Sequence, residues 1–143
     1  MADHGFSAYQ EARAHELDQA KLILMMFAGS INFLNKALEA AHNNQHGMGK
    51  FVTKTKNIIL ELITSLNMEE SGEMGEILLR AYRGLYLKLN AAYFQNDLVK
   101  IAEVRDSLME LEESWKIVFQ SDEYQDFKRD RGFIRKKYPG LKG

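Results

Sequence analysis

The sequence predicts an all-α protein: an antiparallel up-and-down four-helix bundle with a short N-terminal arm or helix and a basic C-terminal tail. Three observations predict it. The only proline is Pro139, so nothing upstream breaks a helix by that route. Strand-like alternation of apolar and polar residues is missing. Four segments carry apolar residues at steps of three and four, and short polar breaks separate them. At 143 residues the chain is one domain by size. It divides into an arm (1–18), the bundle (19–125) and a tail (126–143) expected to be mobile.

The first helix is predicted over about residues 19–42, with Asp18 as its N-cap. It holds Leu22-Ile23-Leu24-Met25-Met26-Phe27-Ala28 running into Gly29. Its apolar positions spread over roughly 200° of the wheel, where a core-facing stripe needs roughly 100°. Met25 and Ala28 fall outside even that arc. The surplus has to meet the arm, a second copy of the chain, or another protein. The break is Asn43-Asn44-Gln45-His46-Gly47.

The second helix is predicted over about 49–66, on one narrow face of Phe51, Thr55, Ile58, Ile59, Leu62, Ile63 and Leu66. Lys54, Lys56 and Glu61 lie off that face, and Asn67 with Glu69-Glu70-Ser71-Gly72 closes the helix. The third is predicted over about 73–94, with a core stripe of Met74, Leu78, Ala81, Leu85, Leu89 and Ala92. Tyr82, Tyr86 and Tyr93 flank that stripe, where hydroxyls at a core edge or groove wall find partners or water. Asp97 is a good N-cap for the fourth helix, over about 98–120. Ile101, Val104, Leu108, Leu111, Trp115 and Val118 make a heptad-like seam there.

Composition narrows the function classes. With no cysteine, disulfides, thiolate metal sites and Cys nucleophiles are excluded. Met1-Ala2-Asp3-His4-Gly5 shows neither the basic nor the apolar region of a signal peptide. No unbroken apolar run approaches the roughly 20 residues of a membrane span. A soluble cytoplasmic protein is expected, with no membrane insertion. Residues 128–143 hold seven basic residues against Asp130 alone, so the tail carries +6 and the rest of this −1 chain carries −7.

Chemistry-bearing motifs are sparse. One Glu-x-x-His pair exists, Glu39-Ala40-Ala41-His42, where a di-iron bundle needs two with further inward glutamates. A solvated helix end explains it better. No P-loop, Gly-x-Ser-x-Gly elbow or His-Glu-x-x-His is present. Neither an enzyme nor a cofactor or metal is expected. The Glu69-Glu70-Ser71-Gly72-Glu73 cluster supplies negative charge to a helix N-terminus.

Ala8-Tyr9-Gln10, then Leu22 to Gly29, then Lys54-x-Lys56-Asn57-Ile58-Ile59-x-Glu61-Leu62-x-x-Ser65-Leu66-Asn67 form an ordered set of stretches that resembles the FliS family of flagellar secretion chaperones. Ala81-Tyr82, Lys88-Leu89, Ala92, Asn96-Asp97, Ala102-Glu103-Val104 and Trp115-Lys116 continue the likeness over about residues 8–120. Departures include Gln19 for the family's proline, Ala81 for the leucine of its Leu-Tyr, Tyr93 for an asparagine, and Phe27 for a tyrosine. The resemblance implies a cytoplasmic chaperone that holds the disordered C-terminal segment of flagellin and prevents premature polymerisation. It would assist delivery to the flagellar type III export apparatus. The flagellar export gate, other flagellar regulators and a second copy of the chain are further candidate partners. By the resemblance, the Tyr9–Gln10 arm lies near the partner's path. By the helical wheel, Leu22, Met25, Met26 and Phe33 join it, beside the Tyr82, Tyr86 and Tyr93 flank. The alternative is a nucleic-acid-binding bundle acting through the basic tail, which the −7 body disfavours; no nucleic-acid partner is expected.

Overall fold

The computed structural model of the chain describes residues 19–126 and residue 129. Four helices form along it: α1 (Gln19–His42), α2 (Met48–Thr64), α3 (Met68–Phe94) and α4 (Leu98–Gln120). The chain is an all-α bundle, as its periodicity predicts. The arm with Tyr9 and Gln10, the Asp18 cap and nearly all of the basic tail lie outside the described residues.

Cross-helix contacts fix the directions. Ile58 approaches Gly29, and the rings of Phe51 and Phe33 stack at 6.2 Å. As the number rises on α1 it falls on α2, so the two are antiparallel. Lys56 bonds Asn90 at 3.0 Å, and Gly49 lies under the Tyr93 hydroxyl, so α2 and α3 are antiparallel too. Lys88 of α3 meets Glu103 of α4 at 2.7 Å, and Arg105 of α4 reaches Asn35 of α1 at 3.1 Å, which ties the last helix to the first.

The breaks do what their composition asks. Asn44 and Asn96 take left-handed backbone (φ 53° and 52°) just past α1 and α3. Behind each, two backbone bonds close a Schellman motif: Gln45 N–H to Ala40 O and Asn44 N–H to Ala41 O, then Asp97 N–H to Ala92 O and Asn96 N–H to Tyr93 O. Asp97 then caps α4, accepting from the Lys100 N–H at 3.1 Å. Gly47 precedes α2 at φ 118°, a conformation that an L side chain resists.

One boundary differs from the sequence reading. Asn67 does not close α2 but opens α3, its Oδ1 accepting from the Glu69 N–H at 3.2 Å. A helical turn follows, and Gly72 (φ 53°, ψ −131°) kinks the chain before the long run expected from residue 73. The cluster read as a breaker is a turn plus a glycine kink.

The core lies among all four helices. It holds Phe27, Leu34, Ala37 and Leu38 from α1; Val52, Ile59 and Leu62 from α2; Tyr82, Leu89 and Ala92 from α3; and Ile101, Val104 and Leu108 from α4. Two buried hydroxyls sit where α1 and α2 meet. Ser30 donates to Phe27 O at 2.8 Å, and Thr55 donates to Phe51 O at 3.0 Å and lies 3.4 Å from Ser30 O. Small side chains at Gly29, Ser30 and Thr55 let these helices approach closely, and the local carbonyls satisfy the hydroxyls that this buries.

Two core assignments shift. Met74, expected in the α3 stripe, is 60% exposed while its neighbour Gly75 is buried; Tyr82 is buried too, and Leu89 and Ala92 are buried where the stripe placed them. Val118 is exposed and Trp115 only half-buried, whereas Ile101, Val104 and Leu108 of the same helix are buried.

The chain separates into two compact units, one ending at Glu112 and the other beginning at Glu113. In the second, Trp115 stacks on Phe119 at 5.1 Å, and Phe119 meets Tyr124 at 5.0 Å. Ser121 accepts from the Tyr124 N–H and starts the short helical run of residues 122–126.

Candidate functional site: two apolar seams flanking α2

On α1, Leu22, Met25, Gly29, Phe33 and Lys36 follow at steps of three and four, so they share one face. Gly29 and Phe33 touch α2, which places that face along the α1–α2 seam. Met25 is 40% exposed, while Leu22, Met26 and Phe33 are half-buried. The structure thus brings Leu22, Met25 and Phe33 onto one face, with half-buried Met26 next to Met25 in the chain. Phe51, half-buried across the seam, completes an aromatic pair with Phe33 at an interplanar angle of 22°.

Two lysines frame the pair. Lys54 Nζ lies 5.2 Å from the centre of the Phe33 ring, and Lys36 Nζ lies 5.9 Å from that of Phe51. An ammonium over a ring face is held by the ring quadrupole while it stays wet. Sequence reasoning missed Phe51, Lys36 and Lys54, having put Phe51 on the core face and set Lys54 off it. The signal was available: Phe33-x-x-Lys36 and Phe51-x-x-Lys54 are the same spacing on two antiparallel helices.

The second seam runs between α2 and α3. Tyr86 is half-buried with Lys56 Nζ 5.8 Å from its ring, and Lys56 also donates to Asn90. Tyr93, half-exposed, lays its hydroxyl on Gly49, where any Cβ would collide with it. Leu60, on the same helix as Lys56, is 43% exposed.

Tyr82 does not belong to this flank. It is 1% exposed and packs on Phe27 at 6.3 Å between ring centroids, inside the core. Its i+7 partner is Leu89, whereas Tyr86 and Tyr93 sit toward α2. The expected three-tyrosine surface is therefore two tyrosines over a buried third.

Further apolar surface lies on the outside of α3, where Ile77, Leu87 and Phe94 are all exposed. α1 is long and apolar enough, by length and composition alone, to cross a membrane. Seven of its residues are buried in this bundle. Among the described residues, no three His, Cys, Asp or Glu side chains gather where a metal ion could be held.

A helical bundle with apolar, lysine-framed seams on its outside presents the surface of a protein-binding bundle. The comparisons narrow that class. A sequence profile of the family described as flagellar protein FliS matches residues 2–122. The chain is 30% identical over 120 residues to a flagellar secretion chaperone FliS of Bacillus subtilis (strain 168), covering 82% of this chain and 87% of that protein. It is also 30% identical over 118 residues to the protein of the same name in Campylobacter jejuni subsp. jejuni serotype O:6, covering 82% and 92%. The chain belongs to the FliS family of flagellar secretion chaperones.

Proposed function

We propose that this chain is a cytoplasmic export chaperone without catalytic activity, which binds the disordered C-terminal segment of flagellin. It keeps that segment from premature polymerisation and assists its delivery to the flagellar type III export apparatus. The observation that carries this reading is the partly open apolar surface of the α1–α2 seam, where Met25 is exposed and Leu22, Phe33 and Phe51 are half-buried. A disordered segment that folds on binding can lay short amphipathic helices along such seams and wrap a large area. Tyr86 and Tyr93 extend the surface to the second seam, and the Tyr9–Gln10 arm, by the family resemblance, lies along the same path. The export gate, other flagellar regulators and a second copy of the chain are further candidates for these surfaces.

Calorimetric titration with a flagellin C-terminal peptide tests the proposal. Met25→Glu should weaken binding by about 2 kcal/mol, because a charge would be buried without a partner. Its denaturant midpoint should barely move, since Met25 is 40% exposed in the free protein. Binding that survives while the fold collapses would make Met25 a core residue and remove the α1–α2 seam as the site.

A further inference from the structure

The aromatic pair and its lysines form one unit with approximate internal symmetry. Each lysine lies over the phenylalanine of the opposite helix, Lys54 over Phe33 and Lys36 over Phe51. Neither ammonium makes an ion pair with a carboxylate among the described residues. The surrounding hairpin is basic. Residues 19–64 carry five lysines against Glu39 and Glu61, in a chain whose total is −1. Glu61 lies two helical turns beyond Lys54, whereas Glu39 lies one turn beyond Lys36, so Lys36, Lys50 and Lys54 stand against Glu39 alone around the aromatic pair. The seam is thus positive at its Phe33–Phe51 end.

We propose that this end selects its partner by charge: it takes an amphipathic helix whose apolar anchor seats on the Phe33–Phe51 pair, with Asp or Glu carboxylates beside that anchor meeting Lys36 and Lys54. The inference rests on the α1–α2 seam being the partner site and adds the chemistry of what binds there. An apolar anchor seated on the rings displaces water from around both ammonium groups. A carboxylate arriving beside them then interacts in a lower effective dielectric than on an open surface. Such pairs chiefly set specificity and association rate, and added salt weakens them. A basic or neutral flank would leave both ammonium groups facing like charge or nothing.

Three synthetic helices sharing one apolar face, with Glu, Gln or Lys beside the anchor, are titrated into the full chain. A flagellin C-terminal peptide and a single-stranded oligothymidylate are titrated in parallel. The same series is repeated on the Lys36→Gln/Lys54→Gln double variant, whose fold is checked by its thermal melt. The Glu helix should bind about tenfold more tightly than the Gln helix, and the Lys helix more weakly still. The double variant should lose most of that preference, as should the native chain at high salt. Equal binding of the Glu and Gln helices overturns the proposal, as does no binding of any helix or an unchanged preference in the double variant. Oligothymidylate binding more tightly than the Glu helix, through the same lysines, would assign them to phosphate and also overturn it. The flagellin arm reads the functional proposal separately. Flagellin binding without any charge preference keeps that proposal and sinks this one. A Glu preference without flagellin binding supports the lysine pair and removes flagellin as the partner.

Discussion

Phe27 and Tyr82 meet inside the bundle with their rings tilted at 56°, and both are essentially inaccessible to solvent. An aromatic side chain at such a site contributes a large buried area, and truncation leaves a cavity that its neighbours cannot fill. Tyr82→Ala should cost about 3–5 kcal/mol in a denaturant melt. A cost below about 1 kcal/mol would place the ring outside the core. Trp115 shows the opposite case. On the expected seam it would be buried and its loss would cost as much. In the structure it is half-buried and stacked on Phe119 within the second unit. Trp115→Ala should therefore cost only about 1–2 kcal/mol, less than a full core truncation. Native fluorescence should lie between the buried and water-exposed extremes. Neither placement was legible in full. A tyrosine tolerates a core, an edge or a groove, and periodicity cannot say how deeply each position on a face is buried.

At the level of the helices, the polar breaks carried the most readable information. Asn43-Asn44-Gln45 and Gln95-Asn96-Asp97 both end a helix through a left-handed asparagine and two backbone bonds. Asp97 then begins the next helix through its side chain. Asp97→Ala should cost about 1 kcal/mol through the lost cap. Asn96→Gly should be close to neutral, because glycine accepts φ 52° without strain. Both are read from thermal melts, and a large loss for the glycine variant would mean that the asparagine amide matters more than its backbone. The start of α3 was misread for a physical reason. Glu-Glu-Ser-Gly is weak helix material, yet Asn67 caps the turn and Ser71 bonds back to the Asn67 carbonyl at 2.5 Å. Beyond the kink the stripe holds at Leu89 and Ala92, and only its first position moves, from Met74 to Gly75, because hydrophobicity favours the methionine. The lysines escaped notice because a lysine beside an apolar face usually marks solvent, and only the antiparallel pairing puts each one over a ring.

For the molecule as a whole, stability rests on apolar packing rather than on its surface charges. Lys88 and Glu103 approach to 2.7 Å with side chains 40% and 51% exposed, so water screens them well. A double-mutant cycle on that pair should give a coupling under about 1 kcal/mol. What the core leaves over is what the functional proposal uses. The excess on α1 was legible because its apolar arc exceeds what one buried face needs, and it has a counterpart outside α3 at Ile77, Leu87 and Phe94. Under the proposed function, a disordered flagellin segment lies along the α1–α2 seam. Methionine methyl groups report it directly, because Met25 and Met26 are on α1 while Met74 and Met109 are exposed on α3 and α4. The measurement is a methyl NMR spectrum of methionine-labelled protein, assigned by substitution and recorded with and without the flagellin C-terminal segment. The Met25 and Met26 signals should shift strongly on addition. Unmoved Met25 and Met26 signals, with the segment bound and other methionines shifted, would contradict that placement.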